Sequence, residues 1–124
     1  MTQYEGTKLV DFTPIAKVDT LQIIDIIPGT GAEVPAGATI TAHYTGALCK
    51  NGIIFQSSHD FGQPVTSGLD QVIHGWTEGV PGMKVGGMRR LIIPSEMAYG
   101  SVRAAANIPP NSNLVFDIEL MDIK

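Results

Sequence analysis

Along ATITAHYTGAL (38–48), Ile40, Ala42 and Tyr44 fall on one side of an extended chain, and Thr39, Thr41, His43 and Thr45 fall on the other. That period of two predicts a strand with one buried face. LVFDIEL (114–120) repeats it, setting Leu114, Phe116, Ile118 and Leu120 against Val115, Asp117 and Glu119. LQIIDII (21–27) is rich in β-branched residues and closes on the turn-forming PGTG, but its alternation breaks at Ile23-Ile24, which predicts a bulge there. MRRLIIP (88–94) is a further strand. Lys50-Asn51-Gly52 carries the Asn-Gly hairpin signal before IIF resumes an extended run, so the sheet is expected to be mostly antiparallel.

One helical stretch interrupts the strands. In VIHGWTEGV (72–80), Val72, Ile73, Trp76 and Val80 recur at spacings that gather on one side, with Asp70 as a candidate start. So short a helix is marginal in water and needs tertiary packing, most simply inside the concave face of the sheet. Gly75 and Gly79 each cost it about 1 kcal/mol relative to alanine, so something other than helix stability places the chain's only tryptophan between them. The expected fold class is α+β, a curved antiparallel β-sheet wrapped around one short α-helix. Residues 1–18, with Gly6 and Pro14 and no sustained period, read as an N-terminal extension that packs on the domain or stays loose; residues 19–124 form the domain. Between Pro94 and Leu114 the chain shows neither period, yet Tyr99, Ile108, Pro109 and Pro110 give this loop apolar surface that wants something to cover.

Composition narrows the function classes. The chain has 124 residues, 44% of them apolar and 16% charged, which fits one globular domain with a real core. Twelve acidic against eight basic side chains give a charge of −4, and no Lys/Arg run supplies a footprint for nucleic acid. Cys49 stands alone, which excludes an internal disulfide and a multi-cysteine zinc site and fits a reducing compartment. With no basic-then-apolar leader and no stretch long enough to span a bilayer, the expectation is a soluble, cytoplasmic protein with no membrane partner, and one short domain without an extra apolar face suggests a monomer.

Familiar reactive motifs are missing. There is no G-x-S-x-G, H-E-x-x-H or G-x-x-x-x-G-K-[ST], and PGTGAEV has Val34 where a dinucleotide fingerprint needs its third glycine. His43, His59 and His74 lie at separations that fit no local metal site, and the acidic residues are scattered singly. No metal or cofactor is expected, and any catalysis should not proceed by proton transfer or nucleophilic attack.

The aromatic residues remain. Tyr44, Phe55 and Phe116 on concave strand faces, Trp76 on the helix and Tyr99 in the loop could converge on an apolar pocket. They read equally as ordinary core, and composition leaves both possibilities open.

Their wording and order add a resemblance. HYTG (43–46), F-x-SS (55–58), VIHGWTEGV (72–80), AYG (98–100) and IPPNSNLVFDIEL (108–120) together resemble the FKBP-type peptidyl-prolyl cis-trans isomerases over residues 20–124. The resemblance implies a proline pocket with Trp76 as floor and Tyr44, Phe55, Val72, Ile73, Ile108 and Phe116 as walls. It implies that the Tyr99 hydroxyl and the Ile73 main-chain N–H donate to ligand carbonyls, and that Gly75 lets ligand and backbone approach closely. Trp76, Phe55, Phe116 and Tyr99 would carry the catalysis. Implied partners are proline-containing peptides or unfolded chains, together with rapamycin-class macrolides.

Such a pocket needs no acid or base. The X-Pro barrier of roughly 18–20 kcal/mol comes from amide resonance. The planar amide is more charge-separated than the twisted one, so a dry aromatic site that strips water raises the ground state more than the transition state. Gln56 stands where the family usually has an aspartate, Val65 and Ser67 replace rim aromatics, and AAAN (104–107) departs from the usual flap. The Gln56 departure allows an alternative to an isomerase, a weakly catalytic binding or chaperone module, and a carrier of a small apolar ligand could use the same pocket.

Overall fold

The computed structural model describes residues 3–102, 105 and 107–124. The two long alternating segments become the middle of a six-stranded sheet, β2 (Thr39–Leu48) paired with β6 (Leu114–Ile123). Around them run β1 (Gln22–Ile27), β3 (Ile54–Ser57), β4 (Val65–Gly68) and β5 (Met88–Ile93), in the order β1-β5-β6-β2-β3, with β4 also pairing β2. Every pairing is antiparallel. The hairpin at Asn51-Gly52 forms as expected, with Gly52 at φ 72° and the Asn51 side chain accepting from the Ile53 N–H at 2.9 Å.

One face of β2 and β6, carrying Ile40, Ala42, Phe116, Ile118 and Leu120, joins Trp76, Val80, Leu91 and Ile93 in the main core. Helix α1 (His74–Gly79) lies on this concave side against β5. The two glycines explain how it gets so close. A Cβ on Gly75 would sit 2.6 Å from the Ile93 side chain, and one on Gly79 would sit 2.7 Å from Leu91. Gly75 therefore serves helix-to-sheet contact, which corrects the expectation that it makes room for a ligand. The helix also starts later than its sequence pattern suggests: Ile73 is the N-cap with no side-chain cap bond, Asp70 lies outside, and Val72 and Ile73 precede the first turn.

The opposite face is covered by residues 3–18. Leu9 and Val18 are buried with Ala47, Cys49, Ile54, Ile92 and Val115, and Phe12 and Ile15 pack against them. Main-chain bonds stitch the segment down, from Gly6 to Ile54, Leu9 to Gly52 and Ile15 to Cys49, at 2.7–2.8 Å. Asp60 accepts the N–H groups of Gln3, Tyr4 and Glu5 at 2.6–3.0 Å. Arg90 binds both oxygens of Asp117 at 2.7 and 2.9 Å and donates to the carbonyls of Asp11 and Val10 at 2.7 and 2.9 Å.

Two further features differ from the sequence pattern. The β1 bulge falls between Asp25 and Ile27 rather than at Ile23-Ile24, directly after the pair Asp25–Arg89, in which Arg89 Nε donates to the Asp25 carboxylate at 2.6 Å. Strand β4 was not legible: VTSG has too few apolar residues to show a period, and pairing with β2 makes it a strand.

Candidate active site

The site begins at an irregularity. Between β2 and β3 the register shifts, so that Ala47 faces Ile54 while Gly46 faces Gln56, leaving Phe55 as the extra residue of a bulge. A bulge turns two successive side chains to one side, and here both Phe55 and Gln56 reach the concave face. Gly46 makes this possible: a Cβ there would lie 2.6 Å from Phe55 and 2.7 Å from Phe116.

The rings then meet edge to face. Trp76 and Phe116 have centroids 5.4 Å apart at 88°, Phe55 and Phe116 5.7 Å at 86°, and Tyr44 and Trp76 5.6 Å at 75°. This is the arrangement favoured by ring quadrupoles, and it fixes the rings around an opening instead of filling it. Above them is a cavity of about 530 Å³, within the usual size range of small-molecule sites. Trp76 and Phe116 bound it with Tyr44 and Phe55, Val72 and Ile73 bound it from the approach to α1, and Tyr99 and Gln56 are exposed along it.

Val65 and Ser67 from β4 also line this cavity, as does Gln71. Gln71 carried no sequence signal, since a polar residue in a turn before a helix looks like solvent-facing surface. Ile108 differs from expectation: it is buried in the main core under the loop and does not line the cavity. An apolar residue between a turn and two prolines is drawn into the core when its own loop closes over it, as the Ile108 N–H does on the Ala105 carbonyl at 3.1 Å. In AAAN, Ala104 and Ala106 lie outside the described residues. Asn107 ties the loop to the site by donating to the Phe55 carbonyl at 2.9 Å.

The polar groups decide what the cavity can hold. Tyr44 donates its hydroxyl to Gln56 Oε1 at 2.6 Å. Burial, with the nearby Tyr99 phenol as a second cause, pushes the Tyr44 hydroxyl above its ordinary value, so it stays a neutral donor. The Tyr99 hydroxyl and the Ile73 N–H make no hydrogen bond to any described residue. The indole N–H of Trp76 is buried and has no partner among the described residues. Among the described residues, no lining side chain is a carboxylate, a lysine or an arginine. The arrangement is an aromatic cup with donors at its margin, suited to an apolar ring flanked by carbonyl oxygens.

The comparisons agree with this geometry. A family model described as FKBP-type peptidyl-prolyl cis-trans isomerase matches residues 31–121. The FK506-binding protein of Neisseria meningitidis serogroup A is 50% identical over 106 residues, covering 84% of this chain and 96% of that protein. The peptidyl-prolyl cis-trans isomerase FPR2 of Saccharomyces cerevisiae is 47% identical over 106 residues, covering 82% of this chain and 78% of its own length. Among solved structures, FkpA from Escherichia coli superposes with a TM-score of 0.76 at 42% identity, over 84% of this chain and 48% of that one. AtFKBP13 superposes with a TM-score of 0.74 at 39% identity, over 84% and 93%. The family match covers most of the chain, and the chain belongs to the FKBP-type peptidyl-prolyl cis-trans isomerases.

Proposed function

We propose that this chain catalyses rotation about X-Pro bonds in peptides and unfolded proteins, with the prolyl ring on Trp76 between Tyr44, Phe55 and Phe116. The observation that carries the reading is an aromatic cavity whose described lining residues carry no charge, with donors at its margin that no described residue engages. The Tyr99 hydroxyl and the Ile73 N–H hold carbonyls on either side of the ring and fix the chain while the amide turns. The buried rings exclude water, which costs the planar, charge-separated amide more than the twisted one. Each ~1.4 kcal/mol of that difference gives about a factor of ten in rate. No bond is made or broken to the protein.

Exchange spectroscopy on a short X-Pro peptide with catalytic protein tests this. Wild type should accelerate exchange, and Tyr99→Phe should lower kcat/KM about tenfold, the worth of one well-placed hydrogen bond. An unchanged rate in Tyr99→Phe would remove that residue from the mechanism, and no acceleration by wild type would end the reading. The same cavity is proposed to take rapamycin-class macrolides, which should then compete with the peptide. We also place the chain, as a monomer, in the cytoplasm, a reducing compartment with which a single free and buried cysteine is in keeping.

A further inference from the structure

We infer that Gln56 sets substrate preference at this site: its carboxamide N–H groups receive an acceptor from the residue before proline, so the pocket takes acidic and amide-bearing residues there. The inference rests on the isomerase reading and adds to it a substrate class.

Three observations carry it. First, the β3 bulge directs Gln56 to the concave face beside Phe55, where regular pairing would have sent one of the two to the convex side. Second, the Tyr44 hydroxyl occupies Gln56 Oε1 at 2.6 Å, which engages the carboxamide through its oxygen and leaves the nitrogen out of that bond. A primary amide has two donors there, and the Gln56 nitrogen gives neither to any described residue, although the side chain is exposed at the margin of the cavity. Third, among the described residues the lining contains no carboxylate that would repel an anion.

A ring seated on Trp76 brings the preceding side chain out at the margin, where it meets this donor. A carboxylate at position 56 could accept from Tyr44 equally well, but it would offer no donor and would repel a second carboxylate. The glutamine is therefore not an inert substitute: it turns an acceptor position into a donor while preserving the bond to Tyr44.

The experiment compares kcat/KM for Ala-Glu-Pro-Phe, Ala-Gln-Pro-Phe and Ala-Leu-Pro-Phe at neutral pH in wild type, Gln56→Asp and Gln56→Leu. Preferences are read as ratios within each protein, so a general loss of activity cancels. In wild type the Glu and Gln peptides should match or exceed the Leu peptide. In Gln56→Asp the Glu/Leu ratio should fall about tenfold, from repulsion added to the lost donor, with a smaller fall in Gln/Leu. In Gln56→Leu both ratios should fall by a similar, smaller factor. Ratios unchanged in both variants would overturn the inference while leaving the isomerase reading intact. The same holds if an acidic residue after proline responds to Gln56 and one before it does not. Failure of wild type to accelerate any of the peptides would remove the underlying reading as well.

Discussion

At Gly75 the chain gives up helix propensity to gain contact. With Ile93 only 2.6 Å from where a Cβ would stand, Gly75→Ala is expected to destabilise by about 1–3 kcal/mol despite alanine's better propensity. Urea melts check this, and pairing the change with Ile93→Ala should show favourable coupling as the clash is relieved. Arg90 is the other residue on which much depends. It binds a carboxylate and two carbonyls while lying 8% exposed, its charge held more firmly than usual by the Asp117 hydrogen bonds. Arg90→Ala strands a buried carboxylate and should cost about 3–5 kcal/mol in equilibrium unfolding. Arg90→Lys should recover little, because an ammonium lacks the planar fork. The sequence showed Arg90 only as a polar position in a strand, since its partners lie 27 and about 80 residues away.

Among the elements, legibility followed how local the cause was. Strands β2 and β6 and the hairpin were written in alternation and turn residues, and the aromatic set of the cup followed from them with the resemblance. The β3 bulge and β4 were not, because a bulge depends on the close fit of Gly46 against Phe55 and Phe116 and β4 on pairing with β2, while for residues 3–18 the choice between packing and staying loose was decided by the convex face with Arg90 and Asp60, distant in sequence. That segment has a measurable consequence. It shields Cys49, whose thiol burial pushes up to about 11. In the whole protein Cys49 should be inert to a disulfide reagent, whereas removing residues 1–18 should expose Ile54, Ile92 and Val115, make Cys49 reactive and lower the melting temperature. A thiol that reacts equally fast in both proteins would mean that the segment does not protect the sheet.

For the molecule as a whole, acid should loosen one side before the other. Burial alone would raise the Asp60 carboxyl, but the N–H groups of Gln3, Tyr4 and Glu5, helped by His59, outweigh it and hold it below its ordinary 3.8. A lowered carboxylate gives stability that is complete above the ordinary value and lost as pH falls through the folded one. Below about pH 3.8, amide exchange at residues 3–5 should therefore accelerate ahead of the sheet. Equal rates of acceleration in both would put the acid response elsewhere. The exposed isoleucines of β1 are kept from becoming an open pairing edge by Asp25, which engages Arg89 in mid-strand, and by the bulge that follows it.

The floor of the cup is also the molecule's sole indole. Excitation near its absorption edge thus samples the binding cavity and nothing else, so a shift in emission on titration would report occupancy without a dye or a label. Acrylamide quenching, measured with and without a bound peptide, would show how completely the occupant seals that floor from solvent.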